Sequence, residues 1–212
     1  MLIFQPDLHQ FSSHLQPIDL SFHQYLLNCS EPLLVHTGNQ NQATAMLPQL
    51  KALLAGKKLA YIFISHFEAD ECGGLPLVLQ HYPEATPVCS EVTARQLAGF
   101  GIANDMIIKQ PGEKLISDDY ELEFISYPSE MHLWDGLLLM ETRRKIFFSS
   151  DLMLQFGEAG GKIIKSNWQE EVNQITPEQI PDPDKRAALQ KTLSKLSPAF
   201  VATGHGPCLK LT

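Results

Sequence analysis

Apolar residues along this chain mostly fall in short runs, and only occasionally at helical spacing. Residues 22–38, FHQYLLNCSEPLLVHTG, hold two such runs, around 23–28 and 32–36. Between them lies Cys-Ser-Glu-Pro, a turn-forming sequence, so the stretch predicts a β-hairpin. Over residues 41–55 the period changes. Met46, Leu50, Leu53 and Leu54 share one helical face, Gly56 is a stop, and Pro48 belongs either in the first turn or at a kink. The near-continuous apolar run at 59–64, LAYIFI, predicts a strand buried on both faces.

Further on, Gly73, Gly74 and Pro76 open a short helix at 75–81. A strand at 87–90 and a helix at 91–100 follow, the helix with Ser90 as its N-cap. Strands are expected at 106–109 and 120–126, and at 137–141 and 145–149 across a turn at Thr142-Arg143-Arg144. Residues 152–183 carry Gly157, Gly160, Gly161 and prolines 177, 181 and 183, which predict loops and short helices suited to a lid. An amphipathic helix over 184–196 places Ala188, Leu189, Leu193 and Leu196 inward with Pro183 near N1. A last strand covers 199–203. Many strands interleaved with few helices predict an α/β sandwich, sheets inside and helices outside, formed as a single domain over 1–212.

Composition narrows the function. Sixteen basic against 24 acidic residues leave a formal charge of −8, which argues against a nucleic-acid-binding face. The basic cluster Arg143-Arg144-Lys145 reads as a solvated turn. No apolar stretch is long enough to cross a bilayer, and MLIFQPDLHQ lacks the features of a signal peptide. Cys29, Cys72, Cys89 and Cys208 form no CxxC pair and read as free thiols. A cytoplasmic location is therefore expected.

The chemistry concentrates where the strand at 59–64 ends. In YIFISHFEADECGG, residues 61–74, His66 is followed by Glu68, Asp70 and Glu71, and no Lys or Arg occurs between Lys58 and Arg95. Close carboxylates repel one another unless a positive charge lies between them, and a bound cation would supply it. Three more strand ends carry metal-competent residues: His132 in SEMHLWDG, Asp151 in FFSSD and His205 in ATGHGP. Each has an ordinary explanation alone: a polar loop, a packed histidine or a helix cap. The glycines flanking His205 allow close backbone approach.

The pattern His66-x-Glu68-x-Asp70-Glu71-x-Gly73-Gly74, followed by His132, Asp151 and His205, resembles the metallo-β-lactamase fold superfamily. That superfamily usually shows HxHxDH. Glu68 in place of the second His resembles the flavodiiron branch, with its HxExDH. His36-Thr37-Gly38 after LLV is similar to the family's early Asp-Thr-Gly, with His36 where Asp usually stands. The resemblance implies an αββα sandwich of two mixed sheets and a site for two metals. His66, Glu68 and His132 would hold one, Asp70, Glu71 and His205 the other, and Asp151 would bridge them. Glu71 departs from both branches, which normally have His there. His36, Cys72, Trp134 and Asp135 would line the pocket or support the ligands, Trp134 and Cys72 having plain packing as the alternative.

An oxygen-rich ligand set moves the expected metal toward iron, with manganese or zinc as alternatives. The resemblance implies a binuclear non-haem iron protein that binds or reduces O2 or NO. Flavodiiron enzymes draw electrons from an FMN in an appended flavodoxin domain. The sequence stops at Thr212, so electrons are expected from a separate flavin or electron-transfer partner, a homodimer mate being one way to bring it to the site. The alternatives are a binuclear hydrolase of an ester or phosphodiester, and a non-catalytic metal-binding or sensor protein.

Overall fold

The computed structural model describes residues 2–5 by their backbone, and 7–102, 104–128 and 135–212 in full. The first sheet starts as an antiparallel meander of β1 (Leu2–Gln5), β2 (Leu8–Leu15) and β3 (Leu20–Leu27). β4 (Leu33–Val35) pairs antiparallel with β3 and completes the expected hairpin. Asn39 then opens α1 (Gln40–Leu54), its side chain and that of Gln42 satisfying each other's backbone N–H groups in a capping box. Pro48 lies in the interior of this helix. There follow β5 (Tyr61–Phe63), the one-turn α2 (Ala69–Cys72), α3 (Leu75–His81), β6 (Thr86–Cys89), α4 (Glu91–Gly99) and β7 (Ile107–Ile108). β4 to β7 are parallel and adjacent in chain order, as helical crossovers require.

The second sheet repeats the plan in different order. β8 (Lys114–Ile116), β9 (Glu121–Tyr127), β10 (Gly136–Glu141) and β11 (Ile146–Phe148) form an antiparallel meander. β12 (Ile163–Ser166), α5 (Trp168–Asn173) and α6 (Pro183–Leu193) follow, then β13 (Phe200–Ala202) and β14 (Cys208–Leu211). β13 lies parallel to β11, and β14 joins it to β12 at the edge. The sheet orders are β1-β2-β3-β4-β5-β6-β7 and β12-β14-β13-β11-β10-β9-β8.

Alternation along the central strands explains why they read as continuous apolar runs. Leu26, Leu34 and Ile62 face outward to Met46, Leu50 and Leu54 of α1. Their neighbours Tyr25, Leu33, Val35 and Phe63 face the second sheet, meeting Phe124, Leu139 and Phe148. On the far side Leu138, Phe147 and Val201 pack on Val172, Leu189 and Leu193. The result is a four-layer αββα sandwich of two mixed sheets, as the motif resemblance implied. Each fully buried Leu or Phe contributes about 1.5–3 kcal/mol.

Two expectations are revised, and one strand lay outside every sequence expectation. β2, with polar Gln10, Ser12, Ser13 and His14, has no long apolar stripe yet pairs with β3 over its full length. Residues 152–183 contain β12 and α5, and Leu152, Met153, Val172, Ile175 and Ile180 are buried in the outer core, so much of this stretch is fixed structure. α6 ends at Leu193 and buries Leu189 and Leu193, while Ala188 faces solvent.

The sandwich delivers three loops to one end: those after β5, β11 and β13. Backbone hydrogen bonds clasp them across the sheets. Leu137 N–H donates to Ser65 O (2.8 Å), His23 N–H to Gly204 O (3.0 Å) and Gly204 N–H to Ser150 O (3.0 Å). Two glycines make this approach sterically feasible. A Cβ on Gly136 would stand 2.5 Å from Ser65 O and 2.9 Å from His66 Cβ, and one on Gly204 would stand 2.6 Å from Ser150 O. Gly136→Ala is therefore expected to destabilise the protein by about 1–3 kcal/mol in urea unfolding, as overpacking does. Gly99→Ala, where a Cβ meets nothing within 4 Å, is the matched control and is expected to be neutral or slightly stabilising.

Candidate metal centre

β5 ends at Phe63, and two residues later Ser65 and His66 turn into the inter-sheet end. His66 is fully buried. Its Nδ1 meets Ser65 Oγ at 3.0 Å and Ser150 Oγ at 3.4 Å, the two hydroxyls being 2.9 Å apart. Its other nitrogen, Nε2, faces the carboxylates: Glu68 Oε2 at 3.2 Å, Asp151 Oδ2 at 3.4 Å and Glu71 Oε2 at 3.9 Å. The Tyr127 ring stands edge-on to His66 with centroids 5.7 Å apart, and its hydroxyl lies 3.5 Å from Asp151 Oδ2.

His205, in the loop after β13, mirrors this arrangement. Its Nδ1 lies 3.0 Å from Ser21 O, and a carbonyl only accepts, so Nδ1 carries hydrogen and Nε2 is directed at the cluster. Nε2 is 3.4 Å from Asp70 Oδ2 and 3.4 Å from Asp151 Oδ1. Phe22 packs its ring edge-on to His205 at 5.0 Å. Asp151 thus sends one oxygen toward each imidazole.

The one-turn α2 places Asp70 and Glu71 side by side. Thr37 N–H donates to Glu71 O at 2.8 Å, tying the turn to the end of β4. Glu71 is 2% exposed, and among the described residues its Oε2 has no hydrogen-bond partner. Glu68 is the outer member of the set, with 37% of its side chain accessible. Among the described residues two groups have ligand atoms close enough to share a cation, His66–Glu71–Asp151 and Asp70–Glu71–His205.

Electrostatics fit a site built around positive charge. Burial, and then the charges of Asp70 and Asp151, raise the Glu71 carboxyl well above the ordinary range. Burial likewise raises Asp70, although His205 opposes it. Burial alone would lower His205, but its contacts with Asp151 and Asp70 and the Ser21 carbonyl outweigh that and raise it. Such a donor set, two imidazoles and four carboxylates with a buried oxygen that meets no hydrogen-bond donor among the described residues, suits two divalent cations.

The other expected residues divide. His36 lies beneath the cluster, stacked on Phe63 at 6.3 Å and with φ +62°. Burial, reinforced by nearby His66, holds it neutral, down to about 3. Cys72 is buried with its thiol on Glu68 O at 3.0 Å, and burial pushes it up to about 12, so it acts as packing and not as a thiolate. Asp135 is exposed and lines a small separate cavity with Ser126, Lys185 and Leu189. His132 and Trp134 lie outside the described residues. Sequence reading missed Ser65, Ser150, Ser21, Phe22 and Tyr127. Only the serines directly preceding His66 and Asp151 gave any signal, through adjacency.

Beside Asp151 and Tyr127 opens a cavity of about 590 Å³, bordered by Met153, Leu154, Phe156 and Ile175. Among the described residues no helix is long and apolar enough to cross a membrane.

Comparison with known proteins bears on the fold and the family. Diflavin flavoprotein A 1 of Synechocystis sp. is 25% identical over 210 residues, covering 90% of this chain and 34% of its own length. The chain therefore spans about a third of that relative. Among solved structures, rubredoxin oxygen:oxidoreductase from Desulfovibrio gigas superposes with a TM-score of 0.80 at 18% identity, over 99% of this chain and 57% of the other. The flavodiiron protein from Giardia intestinalis gives 0.79 at 17% identity, over 98% and 55%. At this identity the superpositions establish a shared fold, that of flavodiiron cores. The family model described as ODP family beta lactamase matches residues 20–206, and the chain belongs to that family.

Proposed function

We propose that the chain is a binuclear non-haem iron protein that binds or reduces O2 or NO, drawing electrons from a separate flavin or electron-transfer partner. The observation that carries this reading is Asp151, whose two oxygens each lie 3.4 Å from a different imidazole nitrogen. A carboxylate so placed would bridge two cations held by those imidazoles. His66, Glu68 and Asp151 would hold one iron, with His132 as the expected fourth ligand. Asp70, Glu71, His205 and Asp151 would hold the other. Iron would supply the electrons delivered to a small oxidant, and carboxylate-rich ligation favours its higher oxidation state. The names of the relatives, a diflavin flavoprotein and an oxygen:oxidoreductase, support this reading.

The protein's own residues hold the ligands in register. The Ser65–Ser150 hydroxyl pair fixes the His66 ring, and the Ser21 carbonyl fixes the tautomer of His205. Phe22 and Tyr127 wall both rings and keep water from them. His205 donates through Nδ1 to Ser21 O while Nε2 faces Asp70 and Asp151, contacts that outweigh burial and raise its affinity for a proton. Burial, and then the charges of Asp70 and Asp151, push the Glu71 carboxyl well above the ordinary range.

One observation favours a second reading, a metal-dependent hydrolase. The cavity at Asp151 is within the range of small-molecule sites and far larger than a diatomic gas needs. Its mostly apolar border would suit the organic part of an ester or phosphodiester.

Protein produced with iron or with zinc in excess, then quantified for metal and titrated anaerobically with O2 under optical and Mössbauer observation, separates the two. The diiron reading expects about two irons per chain and a spectral change with oxygen. Two zincs retained despite abundant iron, with no oxygen response, would sink it and direct the work to esterase and phosphodiesterase substrates. A second expectation concerns the metal-free fold. The Glu71 carboxyl has its folded value raised above the ordinary 4.5. Its protonated form is thus favoured by folding, and stability is lost as pH rises from 4.5 toward the folded value. Glu71→Gln removes that loss. In thermal melts with chelator, its margin over the wild type is expected to widen as pH is raised above 4.5, whereas a constant margin would show that Glu71 ionises normally.

A further inference from the structure

We infer that Glu71 is a second bridging carboxylate, shared by both metals, rather than a terminal ligand of the His205-side metal alone. The inference rests on the binuclear reading and assigns Glu71 a role that the usual His at this position cannot fill. Three observations carry it. Among the described residues Glu71 is the one member shared by the two groups of candidate ligands: it clusters with His66 and Asp151, and also with Asp70 and His205. Its Oε2 reaches 3.9 Å from His66 Nε2, on the side of the cluster opposite to the metal its position would imply. Among the described residues that oxygen is buried with no hydrogen-bond partner.

The chemistry of the side chain makes the difference. An imidazole directs its two nitrogens to different sides of the ring, so it offers a single lone pair to a given cluster. A carboxylate has two adjacent oxygens and can face two cations standing about 3.5–4 Å apart, the usual separation in such pairs. Asp151 is already placed to do so from the loop after β11, with one oxygen toward each imidazole. Glu71 approaches from α2, a different element, so the pair of metals would be held by two carboxylate bridges from two loops. Each metal then depends on the same two side chains.

Manganese(II) is the probe, because it is paramagnetic and needs no oxygen chemistry. Anaerobic titration of the metal-free full chain, followed by electron paramagnetic resonance and metal analysis, is expected to show about two ions taken up together with an exchange-coupled spectrum. Glu71→Gln is expected to weaken uptake of both ions by about tenfold or more, at least what is lost when only an outer partner of a ligand is removed. Glu68→Gln, on the His66 side only, is expected to weaken one ion and spare the other. Glu71→His is expected to keep the His205-side ion and lose the coupled spectrum or change its spacing. Thermal melts of each variant in chelator confirm that it is folded.

A Glu71→Gln protein that loses one ion while holding the other at wild-type affinity would overturn the bridge and leave Glu71 a terminal ligand. So would wild-type protein that takes up fewer than two ions. If the manganese results come out as expected but iron-loaded protein ignores O2 and NO, the redox reading fails and the bridge stands.

Discussion

The centre depends on the clasp between the two sheets. Leu137 N–H to Ser65 O and His23 N–H to Gly204 O are single backbone bonds, yet each joins a strand of one sheet to a loop of the other. They lie immediately beside His66 and His205. Without them the inward faces would still pack through Phe63, Phe124, Tyr25 and Phe148. The imidazoles would not be held within 3.4 Å of the same aspartate. Hydrophobic burial is non-directional and roughly proportional to area, so it brings the sheets together without fixing their ends to a fraction of an ångström. The directional bonds do that.

Much of this was legible in the chain. The runs LLV, YIF and IFF read as strands because each is buried on both faces, toward helices on one side and the opposite sheet on the other. The candidate ligands were legible because they sit at the ends of those runs and repeat a known spacing. What stayed hidden has a common cause: its signal lies in a partner far away in sequence. β2 is polar along half its length and is a strand because β3 pairs with it. β12 exposes Ile163 and Ile164 and exists through its pairing with β14. The ordering of His205 by Ser21 and Phe22 links positions 184 and 183 residues apart, which no local pattern reveals.

The electrostatic arrangement is costly in isolation. Four carboxylates around two imidazoles, most of them buried, would not be retained for stability, since buried charge without compensation destabilises. Among the described residues the cationic partners of Asp70 and Glu71 are His205 and His66, both of which are themselves ligand candidates. The pocket is thus balanced only when something positive, proton or metal, stands inside it. Neutral His36 beneath the cluster adds no charge of its own, so the balance is left to the cluster and whatever it holds.

The anchoring of His205 by the Ser21 carbonyl also has a bearing on biogenesis. The candidate ligands run from His66 to His205, and the group that orients the last of them comes from β3, near the start of the chain. During synthesis β3 emerges early and must wait, its Ser21 carbonyl unengaged at that point, until the loop after β13 has been made. Contacts this distant in sequence form late in folding, after loop closure has been met by the sheets themselves. The candidate centre therefore needs both sheets in place: the carbonyl that orients His205 belongs to the first, and the loop that carries His205 belongs to the second.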